Sequence, residues 1–135
     1  MSTTADEIRP LDVRTAAFRG GIAVAGSTLA NAALLWAVLE TQLVEPFMAL
    51  SYPPVIFLTV AGAAGATVVY AVLTRRVADP DRTFQRVAAI VLALSFVPDL
   101  GILFFDEAAT IGAVGVLLVM HAVVALVCVV ALTRL

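Results

Sequence analysis

The chain has 135 residues, of which 62% are hydrophobic and 13% are charged, and its formal net charge at pH 7 is -2. A soluble domain carries about 25% charged residues, so this composition leaves too little polar surface to cover a water-soluble globule. A membrane protein escapes this restriction, because lipid tolerates an apolar exterior. The absence of lysine excludes cofactors that bind as a Schiff base to a lysine amine. We expect no nucleic-acid partner.

Four apolar stretches are long enough to cross a bilayer as helices, which requires about 20 residues each. They have 19 to 25 residues and run over residues 16–39, 55–73, 87–105 and 108–132. We therefore predict an all-α fold, in which residues 1–135 form a single bundle of four transmembrane helices. The first stretch is longer than the apolar region of a signal peptide, so we predict a retained helix, although Ala30-Asn31-Ala32 fits a cleavage site.

The basic residues predict the orientation of these helices. All eight are arginines on one side of the four stretches, namely Arg9, Arg14, Arg19, Arg75, Arg76, Arg82, Arg86 and Arg134. In the two connections on the other side every charged residue is acidic, namely Glu40, Glu45, Asp106 and Glu107. The positive-inside rule then predicts a multi-pass protein of the plasma membrane with both termini in the cytoplasm. The four arginines in or beside the turn between the second and third stretches would contact anionic lipid headgroups, or they only determine topology.

The two outer connections differ in length. Residues 40–54 are too apolar to extend freely into water, so we expect them to lie at the interface or to cap the bundle. The second connection is about two residues long, Asp106 and Glu107, and predicts that the third and fourth helices form an antiparallel hairpin in direct contact.

Polar side chains occur within three of the predicted spans. Ser27 and Asn31 are four residues apart in the first span, as are Ser95 and Asp99 in the third, so each pair shares one helix face. At about 1.5 Å per residue, Asn31 and Asp99 lie at a similar depth in the outer half of the membrane. His121 falls near the middle of the fourth span. These five groups are predicted to occupy two adjacent layers of the bundle.

Two interpretations of these polar groups stay open. A functional site would consist of Asn31, Asp99 and His121 with Ser27 and Ser95 in support, and would bind a headgroup or a cofactor tail or pass protons. Alternatively, the same groups only form hydrogen bonds between helices, which contribute about 0.6 kcal/mol on average. Pro98 removes a backbone donor and is expected to kink the third helix beside Asp99, which would open space for a polar pocket.

Small residues point to close helix contacts. Gly62 and Gly65 lie in an Ala-Gly-Ala-Ala-Gly-Ala run in the second span, and Gly112 and Gly115 lie in the fourth. Small residues at such spacing let two helices approach closely, either within the chain or between subunits.

No catalytic signature accompanies these features. There is no HExxH motif, phosphate-binding loop or nucleophile elbow, and a single histidine disfavours a histidine-based metal site. Cys128 is the sole cysteine and is expected to be a small buried hydrophobe. We expect no catalytic residue, no metal and no cofactor.

The late third span and the fourth span resemble a known family. The segments Leu94-Ser95-Phe96-Val97-Pro98 and Met120-His121-Ala122-Val123-Val124, together with Arg75-Arg76 in the inner turn, are similar to short bacterial and archaeal four-helix membrane proteins catalogued as a domain of unknown function. The resemblance implies the four-helix fold and brings no activity, substrate or cofactor.

Three functions remain under consideration. The favoured hypothesis is a non-enzymatic accessory or assembly subunit that forms a homo-oligomer or binds another membrane protein through its small-residue faces. The second is a small transporter or proton relay that uses Asp99 and His121; small multidrug transporters are similar in length and span number, but carry a glutamate in the first helix that this chain lacks. The third is a lipid or quinone-binding enzyme with His121 as acid or base.

Overall fold

A computed structural model describes residues 10–135, which form four α-helices and no β-strand. The helices are α1 (Val13–Glu40), α2 (Tyr52–Arg76), α3 (Pro80–Phe105) and α4 (Ile111–Thr133). Each is long and apolar enough to cross a membrane, which confirms the predicted all-α fold with four potential spans. Arg9 and the rest of the polar leader up to residue 9 lie outside the described residues.

The order of packing places α1 and α3 on opposite sides of the bundle. α1 packs against α2 and α4, and α3 packs against α4 and less extensively against α2. α2 and α4 also touch each other across the centre, whereas α1 and α3 do not pack together in the described part of the chain. The predicted contact between the third and fourth helices is therefore present, but α1 is separated from α3 by the two helices between them.

Local hydrogen bonds explain where α3 and α4 begin. The carboxylate of Asp79 accepts a hydrogen bond from the backbone N–H of Arg82 at 3.1 Å, and the hydroxyl of Thr110 accepts one from Ala113 at 3.2 Å. Both are N-caps, which satisfy backbone donors that the first helical turn leaves free. α4 therefore begins at Ile111 rather than at residue 108, and the connection before it is longer than the two residues predicted.

The first outer connection caps the bundle. Phe47 and Leu50 are buried, and they belong to an apolar cluster with Leu35 of α1, Val55 of α2 and Leu117 of α4. The segment therefore closes the end of the bundle at which α1 ends and α2 begins. This agrees with the capping alternative predicted from its apolar composition.

A close approach joins the N-terminal part of α1 to α2. A Cβ atom added to Gly20 would lie 2.5 Å from Cγ2 of Thr67, so any larger residue requires the Thr67 side chain to move. Arg19 also donates from Nη1 to the carbonyl oxygen of Leu132 at 2.9 Å and thereby ties α1 to α4. Because lipid tails are as apolar as the helices, close packing and such hydrogen bonds hold a membrane bundle together.

The third helix is the least buried of the four. Its buried side chains are Phe84, in its second turn, and Asp99, about one and a half turns before its end. Phe84 packs edge-on against Tyr70 of α2 with ring centroids 5.3 Å apart, and the Tyr70 hydroxyl donates to the carboxylate of Asp81. α3 is thus anchored near each end, and its middle section presents mostly exposed apolar side chains.

Candidate binding cleft and polar pair

A cleft of about 520 Å³ lies between α2, α3 and α4 in the section where α3 is least attached. Its size falls within the range of about 300–1,000 Å³ that small-molecule sites occupy. The walls are apolar except for Asn31, Thr59, Ser95, His121 and the thiol of Cys128. No charged residue of the described chain lines the cleft, apart from any charge that His121 itself would carry.

Small residues on α2 explain why this space is left open. Gly62 and Gly65 both line the cleft, and a Cβ atom added to either would meet no heavy atom within 4 Å. Ala61 and Ala66 flank them on the same wall, so α2 has no side chain long enough to reach α3 here. At these two glycines the described chain makes no close helix contact, and a contact with another subunit stays a prediction.

Asn31 belongs to α1, and it lines the cleft between the other three helices. It is 2% exposed, and its Nδ2 donates to the hydroxyl oxygen of Thr59 at 3.0 Å and reaches the carbonyl oxygen of Met120 at 3.4 Å. Its carbonyl oxygen Oδ1 is buried and has no hydrogen-bond donor among the described residues. A buried acceptor left unpaired costs about 1–3 kcal/mol, so a hydrogen-bond donor that reached this oxygen would be stabilising.

Asp99 of α3 and His121 of α4 form a close pair beside the cleft. Nδ1 of His121 lies 2.8 Å from Oδ2 of Asp99 and 2.9 Å from the carbonyl oxygen of Leu117. One N–H cannot align with both oxygens, and Asp99 Oδ2 is left without an aligned donor in this arrangement. Asp99 is 7% exposed and sits behind the histidine, whereas the His121 ring is part of the cleft wall.

The other ring nitrogen of His121, Nε2, makes no hydrogen bond to any residue between 10 and 135. Nδ1 faces two oxygen acceptors, so it carries the proton of a neutral ring. The second nitrogen is then available to a molecule in the cleft, while Asp99 holds the ring in place.

The family of the chain follows from its sequence over almost its whole length. A family model described as a family of unknown function, DUF6069, matches residues 11–135. The chain belongs to DUF6069. No curated protein and no solved structure matches it. DUF6069 membership confirms the predicted resemblance to a domain of unknown function.

The structure brings together only some of the predicted polar residues of this DUF6069 protein. Asp99 and His121 are in contact, and Asn31 and His121 line the same cleft. Asn31 and Asp99 do not meet, because α1 and α3 do not pack together in the described structure. The expectation that all five polar groups belong to one constellation is therefore too broad.

The two serines have different surroundings. Ser95 lines the cleft and donates its hydroxyl hydrogen to the carbonyl oxygen of Leu92 in its own helix at 2.7 Å. Ser27 is fully buried on the packed face of α1 and is absent from the cleft wall. Of the pair, only Ser95 is placed to contact a molecule in the cleft.

Thr59 is the cleft residue that the sequence analysis missed. Its hydroxyl accepts the hydrogen bond from Asn31, but its own hydrogen has no acceptor among the described residues. The available signal was a polar residue within an apolar span at the depth of Asn31, on a helix that runs in the opposite direction. Helical threonines are common and usually bond to their own backbone, so this signal is weak on its own.

The remaining predicted positions, Pro98, Gly112 and Gly115, do not line the cleft. Pro98 lies inside α3, which stays helical to Phe105. Gly112 approaches the connection after α1, since an added Cβ would lie 3.1 Å from Val44, whereas Gly115 faces open space. Among residues 10–135 no three histidine, cysteine, aspartate or glutamate side chains lie close enough together to hold a metal ion.

Proposed function

We propose that this DUF6069 protein is a non-catalytic, multi-pass protein of the cytoplasmic membrane that binds a small amphiphilic molecule from the bilayer in the α2–α3–α4 cleft. The observation that carries the proposal is an apolar cleft lined by Asn31, whose buried carbonyl oxygen Oδ1 has no hydrogen-bond donor among the described residues. A molecule with an apolar body and a polar group would match both features. Binding rather than catalysis is favoured, because the only titratable side chains of the described residues that line the cleft are His121 and the thiol of Cys128.

Access from the bilayer is consistent with how α3 is held. Its middle section carries exposed apolar side chains, among them Val91 and Leu94, at 57% and 63% exposure. Since α3 is anchored near its two ends, a molecule dissolved in the membrane would enter sideways past its middle section. Both termini would lie in the cytoplasm, because the arginines gather at the end of the bundle where α1 begins and α4 ends.

The test is to identify molecules retained by the purified protein. Native mass spectrometry of the wild type released from a mild detergent is expected to show the 14.1 kDa chain with one bound small molecule. Gly65→Leu adds a side chain to the cleft wall at a position where an added Cβ meets no heavy atom within 4 Å, and it is expected to remove that molecule. Gly115→Leu is the matched control, because Gly115 also faces open space but does not line the cleft. Equal retention in both variants would contradict the proposal.

Assembly through the small-residue faces is the second candidate function. It is favoured by Gly62, Gly65 and Gly115, at which no described atom comes within 4 Å of an added Cβ. A helix from a second copy or from another membrane protein would then pack on α2 or α4. The same mass measurement separates the two functions, because a second copy adds 14.1 kDa to the complex and a small amphiphile adds far less.

A further inference from the structure

We infer that the polar end of the cleft recognises an uncharged hydroxyl group on an otherwise apolar molecule, such as a long-chain alcohol or an alkyl hydroquinone. The inference rests on the proposed binding function and names the chemistry that the cleft selects. The two side chains that would bind the hydroxyl are Asn31 and Thr59. His121 lines the same cleft, and Asp99 acts as a positioning residue through His121.

Asn31 presents an acceptor whose direction is fixed. Its Nδ2 faces the Thr59 hydroxyl and the carbonyl oxygen of Met120, and a carbonyl oxygen can only accept. The amide is therefore held with its nitrogen toward Met120, and Oδ1 remains buried without a donor. Only a molecule that brings its own hydrogen-bond donor satisfies this oxygen.

Thr59 presents a donor at the same place. The hydroxyls of Thr67, Thr74 and Thr133 each donate to a carbonyl oxygen of their own helix, at 2.8, 2.8 and 2.6 Å. The Thr59 hydroxyl makes no such bond and accepts from Asn31 instead. A guest hydroxyl can donate to Asn31 Oδ1 and accept from Thr59, because a hydroxyl is both donor and acceptor.

The ring of His121 can also form a hydrogen bond with a guest hydroxyl. With its proton on Nδ1, its free Nε2 accepts a hydrogen bond, and a protonated ring would donate one instead. A hydroxyl can bond to either form of the ring, because it both donates and accepts hydrogen bonds. An ether or a carbonyl lacks the hydrogen that Asn31 requires.

The surroundings favour a headgroup without charge. No arginine or acidic residue of the described chain lines the cleft, so a phosphate or an ammonium group would enter without a counter-charge. The polar end also lies within the spans, since Asn31 is the nineteenth of 28 residues in α1 and His121 the eleventh of 23 in α4. Charged phospholipid headgroups remain at the membrane surface, whereas weakly polar alcohols and phenols can reach this depth.

The experiment compares matched probes on the full chain in nanodiscs. Tetradecanol is compared with its methyl ether, and an alkyl hydroquinone with its dimethyl ether, by counting bound probe with native mass spectrometry. We expect the wild type to bind at least one hydroxyl probe at about tenfold lower concentration than its ether, as one net hydrogen bond would produce. Selectivity in the first pair identifies an aliphatic alcohol as the ligand type, and selectivity in the second identifies a phenol.

Two variants test the residues that are proposed to form hydrogen bonds with the hydroxyl. Asn31→Leu keeps the volume and removes the acceptor, and is expected to bind alcohol and ether equally. Thr59→Val is the milder second variant, because it keeps the shape of the side chain and removes only the donor; it is also expected to reduce the selectivity. Unchanged selectivity in Thr59→Val and in a folded Asn31→Leu would overturn the assignment.

The inference and the proposed function can fail separately. If hydroxyl and ether probes bind equally, and Gly65→Leu removes both, the cleft binds amphiphiles without reading a hydroxyl, and the inference is wrong while the proposed function stands. If neither probe binds the wild type, or if Gly65→Leu and Gly115→Leu retain them equally, the proposed function is wrong as well.

Discussion

Asp99 and His121 join α3 to α4 through a 2.8 Å approach between a carboxylate oxygen and a ring nitrogen. At the other end of α3, Phe84 packs against Tyr70 of α2. These two attachments involve the only buried side chains of α3, and the cleft opens between them. The same polar pair therefore holds α3 and orients the histidine in the cleft wall.

The Asp99–His121 pair is expected to contribute modestly to stability. Polar contacts between membrane helices average about 0.6 kcal/mol and reach about 1.7 kcal/mol in double-mutant cycles. A cycle of Asp99→Ala and His121→Ala, measured by reversible unfolding in mixed micelles, should give a coupling free energy of about 1 kcal/mol. Val97→Ala paired with His121→Ala is the control and should give none, because Val97 is 66% exposed. A coupling free energy of zero between Asp99 and His121 would mean that this pair does not stabilise the packing of α3 against α4.

Adjacent glycines on α1 should respond differently to the same substitution. Gly20→Val places a side chain against Thr67, whose hydroxyl is already bonded to the Ala63 carbonyl oxygen, so Thr67 cannot yield freely. Overpacking of this kind costs about 1–3 kcal/mol, and the free energy of unfolding should fall by that amount. Gly21→Val meets no atom within 4 Å and should change stability little. Equal effects would show that α1 and α2 do not approach closely at Gly20.

A rescue experiment strengthens this comparison. Thr67→Ala removes the two side-chain atoms nearest to the added Cβ and should restore much of the stability lost in Gly20→Ala. If the double variant is as unstable as Gly20→Ala alone, the loss has another origin than the clash with Thr67.

Proton transport should not depend on Asp99 if the protein only binds. Cys128 is the one residue with a titratable proton that lines the cleft besides His121, so the described walls offer no chain of proton carriers between the pair and the inner end. Proton flux into liposomes is expected to be the same for the wild type and for Asp99→Asn. A flux present in the wild type and lost in Asp99→Asn would favour a proton relay.

The orientation of the bundle can be measured by cysteine labelling on intact cells. Cys128→Ser gives a background without cysteine, because the chain has only one. In that background Glu45→Cys lies in the first outer connection and Ala78→Cys in the turn between α2 and α3, and both positions are exposed. A membrane-impermeant maleimide should label Glu45→Cys and spare Ala78→Cys until the cells are opened. The reverse pattern would contradict the proposed cytoplasmic termini.

Much of the fold could be predicted from sequence because it depends on local properties. The length of an apolar run determines whether a helix can span a bilayer, and all four stretches are helical in the structure. The helix ends were less predictable. α4 begins later than its apolar run because Asp106 accepts a hydrogen bond from Ala108 in the turn and Thr110 caps the helix after it.

The candidate site was predictable only in part. Counting residues along each predicted helix was enough to predict which polar residues enter the spans and at what relative depth. It could not predict that Asp99 contacts His121 and that Asn31 contacts Thr59 rather than Asp99. The physical reason is that packing sets each helix's neighbours and its rotation about its own axis. The same packing left Gly62 and Gly65 facing a cleft, although their spacing suits a close helix contact.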